Sequence, residues 1–175
     1  MDNTKHLLLT FDYELFLGSK SGSTKNCILL PTSKILEILE TYQIKNAIFF
    51  VDTTYLLRLK EIDNKEAQLD FKKISEQLIE MKNNGHYIFP HLHPHWLDAK
   101  YIEKDNHWDL SDTKKYSFSS LSAEEKSQIF TDSIKLLTEI VGPQEVLGYR
   151  AGGWCIQPFS DFELYFKKHN IQYDF

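Results

Sequence analysis

The chain has 175 residues and a mass of 20.6 kDa, the length of one domain. Its 42% hydrophobic and 14% aromatic content is globular rather than disordered. A net charge of −5, with no basic run longer than a Lys-Lys pair, argues against nucleic acid as a partner. Cys27 and Cys155 stand in unrelated contexts and predict free thiols. No stretch reads as a signal peptide or membrane span, so a cytoplasmic chain away from membranes is expected, with homo-oligomerisation left open.

Leu7–Phe11 is a continuous apolar run closed by carboxylates and predicts a buried strand. Residues 17–27 form a Gly/Ser-rich loop, and Pro31 opens a helix with Ile35, Leu36, Ile38, Leu39 and Tyr42 on one broad face. Asn46–Asp52 is a second buried strand, again ending on a carboxylate. From Gln68 to Asn84 the apolar residues keep helical spacing, and Gly85 supplies the stop. A third strand runs from about His86 to Phe89. Pro90 and Pro94 predict that the histidine cluster beyond it is a rigid turn and not a continuing strand.

Residues 96–120 are polar and aromatic without clear period and read as a functional loop. Ser122 to Glu125 resembles a capping box, predicting a helix to about Val141. Val146–Tyr149 is a fourth strand that delivers Arg150. Pro158 begins a helix ending near Lys168, and residues 171–175 start a fifth strand. This alternation predicts a parallel α/β sheet, doubly wound or closed into a barrel, as one domain over residues 1–175. Every polar cluster follows a strand, where the active sites of such folds gather. Five strands are too few for a complete barrel, so an incomplete domain is expected.

Three clusters carry chemistry. His91, His93 and His95 are braced by two prolines, and a turn holding several imidazoles is unfavourable unless their lone pairs are used. His91 and His95 are the expected metal ligands, while His93 is a third ligand, a supporting group or a substrate contact. His86 and His107 read as ordinary polar residues. Asp12 and Glu14 are two apart and face one side of an extended strand, so one can ligate a metal while the other acts as base. Arg150 precedes Ala151, Gly152 and Gly153, where a guanidinium can clamp a carboxylate and a glycine N–H can approach a substrate. Trp154 is either the floor of a sugar site or a core tryptophan. Carboxylate plus imidazole is a zinc-type ligand set, which points to a metal-dependent hydrolase.

Taken together, Thr10-Phe11-Asp12, Gly85-His86 with His91 and His95, the Ala47–Val51 strand and Arg150 resemble the polysaccharide deacetylases of the NodB-homology type. The resemblance spans nearly the whole chain, in order. It implies a distorted (β/α) barrel of seven strands, about five units of which are present, and a divalent metal, zinc foremost. It matches Asp12 to the catalytic base, His91 and His95 to metal ligands and Arg150 to the partner that tethers the base. The chain departs from the family at Tyr13, where a ligating aspartate is expected and Glu14 is the nearest substitute. It departs again at Ala151-Gly152-Gly153-Trp154, in place of a proline-rich turn. The expected activity is removal of N-acetyl groups from a saccharide, a surface-polysaccharide precursor. His93, Gly153 and Trp154 are the candidate substrate contacts; a metal-bound water deprotonated by Asp12 is the expected nucleophile, with the metal and a backbone N–H near Gly153 serving the oxyanion. The alternatives are a non-catalytic metal- or sugar-binding remnant, or a related hydrolase of non-peptide C–N bonds.

Overall fold

The computed structural model describes residues 5–18, 21–142, 146–154 and 158–175, apart from the side chain of Trp154. Cys155 lies outside the described residues. In chain order the main elements are β1 (Thr10–Tyr13), α1 (Leu30–Thr41), β2 (Ile48–Asp52), α2 (Thr53–Glu61) and α3 (Lys65–Asn83). They continue with β3 (Tyr87–Leu92), a β4–β5 hairpin (Lys100–Ile102 and His107–Asp109), α4 (Ala123–Val141), β6 (Gly148–Ala151), α5 (Ser160–His169) and β7 (Tyr173–Asp174). A π-helical turn, Thr24–Leu29, precedes α1.

Five parallel strands form one sheet in the order β1-β2-β3-β6-β7. The order follows the chain without reversal, so the sheet is singly wound. The side chains agree. Phe11, Phe49, Val51, Ile88, Leu92 and Tyr149 join residues of all five helices in one large core on one face. The opposite face carries a smaller cluster of strand residues alone, Ile48, Phe50 and Phe89 with Leu147 against it. Period-two alternation along each strand therefore decides which residues lie beneath helices and which look out from the open face.

The helices α2, α3, α4 and α5 each have a local signal at one end. Asn64 caps α3 by accepting from the Glu66 and Ala67 N–H groups, and Ser122 and Glu125 close the expected capping box at α4. Asn170 ends α5 in the left-handed conformation. The helix α2 has no counterpart in the sequence reading. Asp52, read there as a strand end, also caps this helix by accepting from Tyr55 N–H.

Three other expectations change. Leu7 and Leu8 are not in a buried strand: Leu7 is 86% exposed, because β2 begins at Ile48 and its N–H pairs with Leu9 O. The strand β3 also runs through Pro90 and His91 to Leu92, so the rigid turn starts only at Pro94. Tyr87 N–H donates to Ala47 O, which directs alternate N–H positions, His91 included, toward β2. The Pro90 nitrogen thus faces β6, where pairing starts only at His91–Arg150, and no ladder bond is lost. Finally, residues 96–120 supply core as well as loop. Trp96, Trp108, Leu110 and Phe118 are buried, and Tyr55, Trp96 and Trp108 pack with ring centroids 4.9 to 6.0 Å apart. Short turns and a hairpin impose no single period, so that role was hidden.

Candidate metal centre

The register brings ionisable groups from four strands into one row. Asp52 pairs with His91 and His91 with Arg150. Tyr13 pairs with Val51, so Glu14, one residue beyond β1, comes beside Asp52. By strand parity all four project from the open face at the C-terminal end of the sheet. Asp12 lies one step below, paired with Phe50. Tyr13 points the other way: it is buried and donates its hydroxyl to Gln77 Oε1 at 2.9 Å. It is a core residue beneath α3, and Glu14 is the carboxylate that parity brings to the site.

Glu14, His91 and His93 converge. Glu14 Oε2 is 2.7 Å from His93 Nε2 and 3.3 Å from His91 Nε2, and the two imidazole nitrogens are 3.0 Å apart. His91 Nδ1 lies 2.9 Å from Arg150 O. A carbonyl only accepts, so Nδ1 carries the proton and Nε2 is left with its lone pair toward the cluster. Burial works to raise the Glu14 pKa, but the adjoining His91 and His93 imidazoles outweigh it and hold the carboxyl down to about 2. At His93 burial is likewise overcome, by the Glu14 hydrogen bond and the nearby Asp52 charge, and the imidazole is raised above its ordinary value. Without an ion, His93 Nε2–H donates to Glu14 while the His91 Nε2 lone pair faces them, and a cation displacing that proton would find two imidazole nitrogens and a carboxylate oxygen within reach. These three residues form a group able to hold a metal ion.

His95, the expected second ligand, stands outside that group, its ring centroid 5.3 Å from that of His93. It is only 3% exposed, and neither ring nitrogen has a hydrogen-bond partner among the described residues. Burial, then the neighbouring His93, lowers its pKa to about 4. Arg150 donates from Nη1 to Asp12 Oδ1 at 2.8 Å and from Nη2 to Thr10 Oγ1 at 3.2 Å, with its guanidinium carbon 3.9 Å from the Phe50 ring centroid. Gly153 is exposed, with φ +64°, in the turn after β6. The Trp154 side chain lies outside the described residues.

Two residues of this neighbourhood, read from the sequence as a strand-end carboxylate and a glycine of the arginine turn, take further roles. Asp52 is buried, and burial raises its pKa to about 6. Gly152 lies directly against the histidine segment. The sequence signal for Asp52 was its place three residues before Tyr55, with Leu56 and Leu59 completing a helical face. For Gly152 there was none, because its neighbour comes from β3.

His95 and Asp52 titrate against each other. Between pH 6.5 and about 4 the unfolded chain protonates His95 and the folded chain does not, so this group reduces stability as pH falls. Between about 6 and 3.8 the folded chain protonates Asp52 first, so this group adds stability as pH falls. In urea denaturation of metal-free protein, His95→Gln should gain stability relative to the parent on going from pH 6.5 to 4. The slope should approach about 1.4 kcal/mol per pH unit. A difference that does not vary with pH would mean that the buried imidazole titrates normally.

Comparison with protein families, curated proteins and solved structures returns no match to this chain. Among the described residues no helix is long and apolar enough to cross a membrane.

Proposed function

We propose that the chain carries the catalytic face of a metal-dependent hydrolase that removes N-acetyl groups from a saccharide. The reading is of the deacetylase type resembled by its motifs. The observation that carries it is the Asp12–Arg150 ion pair, 138 positions apart in the chain and 2.8 Å apart in space, beside Glu14, His91 and His93. A tethered carboxylate next to a carboxylate–imidazole cluster is what base-assisted amide hydrolysis at a metal requires.

A divalent ion, zinc foremost, held by Glu14, His91 and His93 would supply Lewis-acid polarisation of a carbonyl and acidification of water. His91 presents an unprotonated Nε2 because the Arg150 carbonyl fixes its tautomer. Asp12 accepts the proton of the attacking water, and Arg150 fixes the carboxylate in place. Water adds to the acetamide carbon, the proton taken by Asp12 passes to the nitrogen as the C–N bond breaks, and a free amine and acetic acid, which ionises to acetate, result. Exposed Gly153 offers a backbone N–H for the developing oxyanion. His95, buried with unpaired nitrogens, is the reserve ligand that a small rotation of the turn would recruit.

The finer fold reading is the distorted (β/α) barrel. Support comes from the sequential strand order and from the apolar face that no helix covers among the described residues, where a cleft of about 460 Å³ is lined by Ile48, Tyr87, Phe89, Leu147 and Phe175 among others. That is the face a barrel turns inward.

The test is metal content together with acetate release from N-acetylglucosamine oligomers. One divalent ion per chain is expected. Glu14→Gln and His91→Ala should each weaken zinc binding by at least about 10- to 100-fold, the range already seen when only a supporting residue is lost. Stoichiometric zinc in the Glu14→Gln, His91→Ala double variant would sink the ligand assignment. Bound zinc without acetate release would indicate a binding module instead.

A further inference from the structure

Asp52 is built into the centre in a way that capping a helix does not explain. An N-cap carboxylate needs one oxygen and sits comfortably in solvent. Asp52 is 1% exposed and uses both oxygens: Oδ1 accepts from Tyr55 N–H at 3.2 Å, and Oδ2 accepts from the Trp96 indole N–H. Burying a carboxylate is unfavourable unless its charge is matched by partners. Its lateral neighbours in the sheet are Glu14 and His91, and it faces the same side as both.

The second bond reaches the histidine segment. Trp96 immediately follows His95, and its backbone N–H donates to His93 O at 3.2 Å, closing the turn that begins at Pro94. At the same helix start the Thr53 hydroxyl donates to His91 O at 3.5 Å. The end of β2 thus holds the histidine segment at two points, before and after His93.

We propose that Asp52 is a positioning residue of the metal centre, fixing the His93–His95 turn through the Trp96 indole and placing a buried negative charge behind the imidazoles. This rests on the metal-centre reading above. A carboxylate that touches no ligand atom directly still sets where the imidazoles point and how strongly they bind.

The experiment is titration of the purified full chain with Co²⁺, read by its visible absorption, for the parent, Asp52→Asn, Trp96→Phe and the double variant. Trp108→Phe serves as the control, since Trp108 belongs to the same buried aromatic cluster. Asp52→Asn and Trp96→Phe should each weaken Co²⁺ binding about 10- to 100-fold and alter the spectrum. The double variant should be no weaker than the worse single one, because both remove one bond. Trp108→Phe should leave affinity and spectrum as in the parent. If Asp52→Asn yields no folded protein by circular dichroism, Trp96→Phe against Trp108→Phe decides alone. Parental affinity in Trp96→Phe, or equal weakening in Trp108→Phe, overturns the positioning role. A parent that binds no Co²⁺ overturns the metal centre itself.

Discussion

Asp12→Asn should lower the rate of acetate release by about 10²- to 10⁴-fold while leaving zinc stoichiometry unchanged. The substitution keeps the size of the side chain and an oxygen to accept from Arg150, but removes the basicity that a water-activating group needs. Asp12 is not among the three residues that converge to hold an ion, so binding and rate should separate, with kcat falling and KM nearly constant. The fold should tolerate the change. Arg150 keeps Thr10 as an acceptor and the Phe50 ring beneath it. Arg150→Lys is the companion: a lysine cannot reach both Asp12 and Thr10 from one planar fork or stack on Phe50 in the same way. Its rate should fall by the same mechanism but to a smaller extent. An unchanged kcat in Asp12→Asn would remove Asp12 from the chemistry.

Gly152→Ala should be the most damaging single-methyl change near the site. A Cβ there would lie 2.8 Å from His93 Nδ1 and 2.9 Å from the Leu92 carbonyl carbon, and closer still to its oxygen. Backbone cannot rotate aside as a flexible side chain can, so the ends of β3 and β6 must separate where Leu92 pairs with Ala151. Overpacking of this kind is unfavourable by about 1–3 kcal/mol, and here the strain falls on the segment that carries His93. Zinc affinity should therefore fall together with the melting temperature. The adjacent Gly153→Ala isolates a different physics. Its φ of +64° is left-handed, yet the nearest atom to an added Cβ is 4.0 Å away. Only the backbone term of about 1–2 kcal/mol applies, and Gly153→Asn should relieve part of it. Equal zinc affinity in Gly152→Ala and Gly153→Ala would show that the close approach to His93 does not matter.

The two glycines show what could and could not be read from the chain. Alternation of apolar runs with amphipathic stretches was enough to anticipate the parallel sheet, and Ser122 with Glu125 marked the start of α4. Asp12 and Glu14 on one side of β1 followed from strand parity alone. What was hidden depends on register between strands far apart in the chain. Nothing near residue 152 says that Leu92 will lie against it, and nothing near Asp52 says that its second oxygen will meet the Trp96 indole. The same distance separates His93 from Glu14. Spacing within the histidine cluster favours His91 and His95 as a pair, whereas the fold brings His93 to the carboxylate.

The row across Glu14, Asp52, His91 and Arg150 has a consequence for how the chain folds. No two of its members share a strand, so the site cannot exist in any partly assembled hairpin or local helix pair. It forms only when most of the sheet has closed, and contacts of such sequence separation form late. An ion held by Glu14 beyond β1 and by His91 and His93 at the end of β3 needs β1, β2 and β3 together, so it would report on that assembly and act on it. At free ion 100 times its Kd it would add about 2.7 kcal/mol to the unfolding free energy, all of it by slaving the occupied state to the native sheet. Metal supply would then govern how much folded chain persists, independently of any reaction the site performs.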